Sequence, residues 1–520
     1  VTSEALQELQ SQVEEKLSDA ASLIFASHLL ILKDAKFVGA MRELIEEGMN
    51  PPDAVLKIAK EYIDIFAVSS DSYLHEKVQD VEDLVVRLIG NLVLEYEDLG
   101  DYRRKVVIAS DLFPSDLLQM SSEEVRGIVL VGGGVTSHLS ILARSLQIPM
   151  VIANHKELLN IPEKTKVLID AEVGNVYVEP SEEVLQGFEQ RNEARAKAAD
   201  HTAEVKPETF TADGTQVHLM ANINLLSDLK LAEQFNCEGV GLYRTEFPFI
   251  IRSDFPSEQE QFVTYRKLFE QMDGKPCVLR TLDIGGDKVL SYYHHAKEQN
   301  PSMGMRSIRF SLENKKVFVK QLRAMLRAGA GADLRIMFPM ISSIDEFREA
   351  KQVVTDCAKA LEGEGVECNA SPMIGMMVEI PAVVELMESF AREADFFSVG
   401  TNDFIQFMLG VDRTNENVER FYLPYHPAVL RGLERIVTGA AKYGKDVAVC
   451  GDMAHQGQYL RFLLGIGIRT LSIDAIYTPR IQKRISQVDM ADAKAIAKEA
   501  LAKPSVEEVA KVLGIRRGND

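Results

Sequence analysis

Residues 132–146 read Gly-Gly-Gly-Val-Thr-Ser-His-Leu-Ser-Ile-Leu-Ala-Arg-Ser-Leu. Thr136 or Ser137 can cap a helix that starts here, and Leu139, Leu142, Ala143 and Leu146 then recur at helical spacing. His138 falls in the first turn behind a glycine run, where free N–H groups and the helix dipole favour an anion. An imidazole so placed can accept a phosphoryl group and have the new charge held by backbone. The same residues also suit an ordinary helix start, so the segment by itself does not fix a task.

A second set of chemistry-bearing residues stands at the ends of short apolar runs. Leu242-Tyr-Arg-Thr-Glu246 contains Arg244, and Leu279-Arg-Thr-Leu-Asp-Ile-Gly-Gly-Asp-Lys288 contains Arg280. Met377-Val-Glu-Ile-Pro381 contains Glu379, Ser398-Val-Gly-Thr-Asn-Asp403 ends on Asn402 and Asp403, and Val449-Cys-Gly-Asp452 contains Cys450. These types suit a small, multiply anionic substrate. Arg244 and Arg280 can hold carboxylate or phosphate in forked geometry. Arg306, in Asn300-Pro-Ser-Met-Gly-Met-Arg306, and Arg413, in Val411-Asp-Arg413, can extend the cluster. Glu379 and Asp403 are hard oxygen ligands that, with waters and substrate oxygens, would complete an octahedral Mg²⁺ site. Cys450 suits a proton donor, because a thiol amid anions keeps its proton. Each residue also has a plainer use: a strand-end arginine often pairs with a carboxylate, and a lone cysteine often fills a core. Their joint placement on several strand ends argues for a site.

The elements that must position these residues fall into distinct stretches. Residues 1–100 read as a small helical bundle, with a break at Gly48 and a helix start at Asn50-Pro-Pro-Asp53. Residues 101–180 read as a compact α/β unit. Its strands are the runs Lys105–Ala109, Gly127–Val131, Pro149–Ile152 and Lys166–Asp170, with the His138 helix between two of them. Residues 181–210 are charged and poor in apolar residues, as in a linker helix. From 211 to 520, short apolar runs alternate with helical stretches. The runs are Val217–Ile223, Val240–Arg244, Val278–Ile284, Leu334–Met340, Ile374–Glu379, Phe396–Gly400, Val447–Cys450 and Thr470–Ile473. Eight alternating units predict a (β/α)8 TIM barrel, whose active site lies at the C-terminal ends of the strands. A doubly wound sheet is the competitor. The fold class is therefore α/β multidomain: helical bundle, α/β unit and C-terminal barrel.

Composition narrows the partners. With 58 Lys and Arg against 78 Asp and Glu, the net charge of −20 argues against non-specific nucleic-acid binding and permits a basic protein partner. An apolar run long enough to span a bilayer is missing from the sequence, so membrane insertion is not expected. The start has neither the basic region nor the apolar core of a secretory signal. Five cysteines without a Cys-x-x-Cys suit a reducing cytoplasm.

With these residues assembled, the chain resembles enzyme I of the phosphoenolpyruvate-dependent phosphotransferase system, from about residue 20 to residue 515. Gly133-Gly-Val-Thr-Ser-His-Leu-Ser-Ile-Leu-Ala-Arg-Ser145 is similar to that family's phosphohistidine signature. Gly241-Leu-Tyr-Arg-Thr-Glu-Phe247, Arg280–Lys288, Arg335-Ile-Met-Phe-Pro-Met340, Val399-Gly-Thr-Asn-Asp403 and Leu464-Gly-Ile-Gly467 follow in family order. The resemblance implies that His138 is phosphorylated on Nε2. It implies that Arg244, Arg280, Asn402 and Arg413 hold phosphoenolpyruvate and that Glu379 and Asp403 bind Mg²⁺; Arg306, from the residue reading, and Asp403 are expected to join the substrate-binding set. Cys450 would protonate C3 of the departing enolpyruvate. It further implies that the 101–180 unit swivels, that the helical region binds an HPr-like phosphocarrier protein, and that the barrel forms a homodimer. A hinge is expected in the charged segment 181–205.

Departures from the family pattern stand out. Val135 replaces the arginine usual before Thr-Ser-His, Asp452 replaces a glutamate, and Asp474 replaces a serine near the last strand end. The family's usual upstream segment is not in this sequence, which suggests N-terminal shortening. The run Phe247–Pro256 is nearer to the nitrogen-related branch than to the sugar branch. Three other readings are weighed. A phosphoenolpyruvate synthase or pyruvate phosphate dikinase would need a nucleotide-binding domain. A carbon–carbon lyase would leave His138 without a role. A catalytically weakened regulatory protein of the same family is the remaining alternative.

Overall fold

The computed structural model describes most of residues 35–67, 102–131, 148–185 and 205–515, with gaps at 251–253 and across most of 286–299. His138, with residues 132–142, lies outside the described residues, as do most of 186–204 and residues 1–31. The chain divides into two compact units, one mainly from residues 1–193 and one mainly from 194–520.

In the first unit, helices Ala35–Glu46 and Pro51–Ala67 flank the break expected at Gly48, whose φ of 100° ends the first helix. Prolines open the second helix, where a missing N–H costs nothing, and Asp53 lies in its first turn. Phe37 meets Tyr62 edge to face at 5.0 Å across the pair. The α/β region forms strands β1 (Val106–Ala109), β2 (Gly127–Val131) and β3 (Met150–Ala153), a parallel sheet in that order. Strand β2 is central and buried throughout, as a continuous apolar run requires. Strands β4 (Val167–Asp170) and β5 (Asn175–Val178) form an antiparallel pair.

The second unit is built on strands β6 (Thr209–Phe210), β7 (Gln216–Ile223), β8 (Val240–Arg244), β9 (Cys277–Arg280), β10 (Leu334–Phe338), β11 (Met373–Val378), β12 (Phe397–Val399), β13 (Val447–Val449) and β14 (Thr470–Asp474). Strands β7 to β14 are parallel, and β14 pairs back onto β7 from Thr470 opposite His218 to Asp474 opposite Asn222. That pairing closes an eight-stranded barrel and excludes the doubly wound sheet. Helices fill the connections, among them Glu258–Met272, Lys315–Ala328, Ile344–Gly363 and Pro427–Ala441.

Alternation along the strands gives each barrel side chain its face. Ile336, Phe338, Phe397, Val399, Leu471 and Ile473 join the helices in one extended core. Leu242, Val278, Met337, Met377, Phe396 and Cys450 form a separate cluster, the packed barrel interior. Between sheet and helices runs an edge-to-face series, Phe318–Phe338–Phe347–Phe390, with ring separations of 6.2, 5.9 and 6.4 Å. Each such pair adds about 0.5–1.5 kcal/mol beyond area burial.

All the strand runs read from the sequence form strands; three stop one residue short, at Val378, Val399 and Val449, and two end earlier still. The runs Val278–Ile284 and Leu334–Met340 give strands that stop at Arg280 and Phe338. Beyond those points the backbone turns away to build the site. Strands β5 and β6 were not foreseen from the sequence.

Candidate active site

The C-terminal rim of the barrel carries a buried chain of ion pairs. Arg280, the last residue of β9, contacts Glu246 Oε1 through Nη2 at 2.7 Å and Asp283 Oδ2 through Nη1 at 3.1 Å. Arg306 Nη2 lies 3.2 Å from both Asp283 Oδ1 and Asp403 Oδ2. Asp283 also accepts from the Ser307 hydroxyl. The backbone of Arg306 approaches Gly285 so closely that a Cβ there would lie 2.4 Å from the Arg306 Cβ, and Gly285 has φ of 98°. Only glycine meets both conditions. Behind this row, Thr245 donates to the Arg280 carbonyl at 2.9 Å, and Gln321 donates to Thr245 Oγ1 at 3.1 Å while accepting from Leu282 N–H at 2.9 Å.

Glu379 follows β11 and is buried; its Oε2 accepts the Met340 N–H at 2.8 Å. Met340 has φ of 54°, an unusual conformation for a side-chain-bearing residue. This turn ends β10 and aims an N–H at the carboxylate. Burial, reinforced by the charges of Asp403 and Asp283 and opposed by Arg280 and Arg306, pushes the Glu379 carboxyl up to about 8. Burial also works against charge on Arg280, but Glu246, Asp283 and Glu379 more than offset it, and its guanidinium stays charged. Arg306 behaves likewise, with Asp283 and Asp403 as its main partners.

Four carboxylates, Glu246, Asp283, Glu379 and Asp403, thus share a buried rim with two fully buried arginines. The repulsion felt by Glu379 marks a place short of positive charge. A hard divalent cation fits such a place chemically. Among the described residues no group of three or more His, Cys, Asp or Glu converges as a protein-only metal cage.

The other expected residues are distributed as follows. Arg244 ends β8, is partly exposed, and donates from Nη1 to Asn224 Oδ1 at 3.2 Å, while its buried Nε has no partner in the described structure. Asn402 accepts the Asp452 N–H on Oδ1 at 2.9 Å, and its carbonyl accepts from Tyr422 OH at 3.2 Å. Arg413 is not part of the buried row. It is exposed, its N–H donates to Gln406 Oε1 at 3.2 Å, and its charge reaches Tyr422. Cys450 follows β13, with its thiol 3.5 Å from the Val399 carbonyl. Burial pushes that thiol up to about 11, aided by the charge of Glu379 and opposed by Ser398, Arg280 and Arg244. Asp474 is paired in register with Asn222 at the end of β14 and bears on His455, whose ring stacks on Tyr477 at 4.4 Å.

The sequence reading missed Glu246 and Asp283 as the partners of Arg280 and Arg306. Their signal was present: Asp283 stands three residues after Arg280 and Glu246 two after Arg244. Ser472, Asn222 and Ser398 gave no such signal. Ser472 donates to Asn222 Oδ1 at 2.7 Å, and Asn222 donates to the Cys450 carbonyl at 3.4 Å.

Comparison with known proteins adds the family. Three family models match: "PEP-utilising enzyme, N-terminal" over residues 1–77, "PEP-utilising enzyme, mobile domain" over 102–174, and "PEP-utilising enzyme, PEP-binding domain" over 198–490. The chain is 39% identical to the phosphoenolpyruvate-protein phosphotransferase of Priestia megaterium, over 97% of this chain and 89% of that protein. It is 40% identical to the protein of that name from Geobacillus stearothermophilus, over 97% and 88%. With the one from Haemophilus influenzae it shares 37%, over 97% and 89%. The chain belongs to the PEP-utilising enzymes and, within them, to the phosphoenolpyruvate-protein phosphotransferase (enzyme I) family. Enzymes of this class use Mg²⁺.

Proposed function

We propose that the chain takes the phosphoryl group of phosphoenolpyruvate onto His138, releases pyruvate, and passes the group to a histidine of an HPr-like phosphocarrier protein. The observation that carries this reading is the buried Arg280–Asp283–Arg306–Asp403 row beside Glu379 and Cys450, at the catalytic end of a closed barrel. Arg244 and Arg280 orient the substrate's anionic groups, with Arg306 holding Asp403 in place. Asn402 and Arg413 complete the binding set. Glu379 and Asp403 would hold Mg²⁺, which would supply positive charge against that of the substrate and the transferring group.

In the transfer, a His138 nitrogen forms a bond to phosphorus as the bridging P–O bond breaks, and the electrons leave with the enolate. Cys450 gives its proton to C3, the enolate electrons restore the C2 carbonyl, and pyruvate results. A thiol that keeps its proton across the neutral range suits this donor role.

Residues 1–100 bind the carrier, residues 101–180 carry the phosphohistidine, residues 181–210 link it to the barrel, and residues 211–520 bind phosphoenolpyruvate and form the homodimer. The described helices are not long and apolar enough to cross a membrane, and a cytoplasmic location suits the five free thiols.

The test is incubation with Mg²⁺ and phosphate-labelled phosphoenolpyruvate. Acid-labile label on the protein, lost in His138→Ala, is expected. Label that survives that substitution overturns the reading.

A further inference from the structure

Ser398 sits at the centre of β12, aligned with Ala448 on β13. Its neighbours Phe397 and Val399 face the helices, so alternation turns Ser398 into the barrel interior. Cys450 lies in that interior too, tied to β12 by its N–H, which donates to the Val399 carbonyl at 3.1 Å. The resting thiol points at the same carbonyl, 3.5 Å away. Ser398 is 2% exposed, and its buried hydroxyl has no hydrogen-bond partner among the described residues. A buried hydroxyl left unpaired calls for an explanation, and here one is at hand. Its influence falls on the Cys450 sulfur, where it favours the thiolate against burial.

We propose that Ser398 is the positioning residue of Cys450, its hydroxyl kept unpaired in the resting enzyme for the thiolate that exists only after the proton has been given. This rests on the phosphoenolpyruvate reading above. In the protonation step the S–H bond breaks and a C–H bond forms at C3. The enolate electrons make the C2 carbonyl, and the negative charge moves to sulfur. The Ser398 O–H then donates to that sulfur until a proton returns from water as pyruvate leaves. A donor aimed where charge develops accelerates the step without tightening substrate binding.

The test uses the full chain with Mg²⁺ and separates two half-reactions. Exchange of the pyruvate C3 hydrogens with solvent deuterium, followed by NMR, needs the thiolate but no phosphoryl transfer. Labelling of His138 from phosphoenolpyruvate needs no proton from Cys450. Ser398→Ala should slow the exchange by about tenfold or more, while the KM for labelling stays within about twofold of the parent value. Ser398→Thr, which keeps the hydroxyl, should recover much of the exchange. Unchanged exchange in Ser398→Ala, or equal losses in exchange and labelling, overturns the assignment. A parent chain that exchanges C3 but does not label His138 overturns the phosphoryl-transfer reading and leaves this one standing; a parent that does neither overturns both.

Discussion

At the scale of single residues, the site trades stability for chemistry. Glu379 is held among like charges, with two arginines already engaged by other carboxylates. Glu379→Gln keeps an acceptor for the Met340 N–H and removes the repulsion. The variant should be at least as stable in denaturant as the parent, yet need about tenfold or more Mg²⁺ for half-maximal labelling, as expected when a metal ligand is lost. A variant both less stable and unchanged in its Mg²⁺ requirement would contradict this. Cys450 gives a pH prediction of definite sign. Its folded-state value of about 11 lies above the ordinary 9.0. The unfolded chain therefore loses this proton first, and the stability it contributes is complete below pH 9 and is lost as pH rises toward 11. Urea titrations across that window should show Cys450→Ala losing stability less steeply than the parent.

At the scale of elements, two substitutions of similar size should behave differently. Ser343 and Glu346 form a reciprocal cap on the helix Ile344–Gly363, each side chain accepting the other residue's backbone N–H. Ser343→Ala should cost about 1 kcal/mol in unfolding experiments and leave labelling unchanged. At Gly451, by contrast, an added Cβ would lie 2.0 Å from Thr401 Oγ1 and 2.7 Å from Thr401 N. Gly451→Ala must push the residue after Cys450 away from the start of the helix Thr401–Leu409, which carries Asn402. It should cost about 1–3 kcal/mol by overpacking and also suppress pyruvate formation. The barrel strands were legible because continuous apolar runs bounded by glycine and proline have few other uses. What was not legible begins where local pattern yields to tertiary demand. Strand β10 stops before Met340 because that residue turns its N–H to Glu379. Arg280 and Arg306 were readable as anion binders, but their commitment to Glu246 and Asp283 arises only when β8, β9 and the segment after β9 are brought together.

At the scale of the whole molecule, each unit has its own core. One apolar cluster draws on residues from Phe37 to Ile148 and the other on residues from Val205 to Ala510. A closed barrel has every strand paired on both sides, so its unfolding is cooperative within itself. The first unit is the smaller of the two, built mainly from residues 1–193 against 194–520 for the second. Small cores exclude proportionally less surface from water. Calorimetry of the full chain should therefore resolve two transitions, the lower from the first unit. On the proposed function, phosphoenolpyruvate with Mg²⁺ would bind native barrel and not unfolded chain, so by mass action it should stabilise the upper transition alone, by about 2.7 kcal/mol at a hundredfold excess over Kd. Oxalate, a planar dianion that cannot donate a phosphoryl group, should do the same if binding rests on the arginine row and the metal. A single transition would overturn the separate unfolding of the two cores, and a ligand shift confined to the lower transition would place the substrate outside the barrel and undo the assignment of Arg280, Glu379 and Asp403 together.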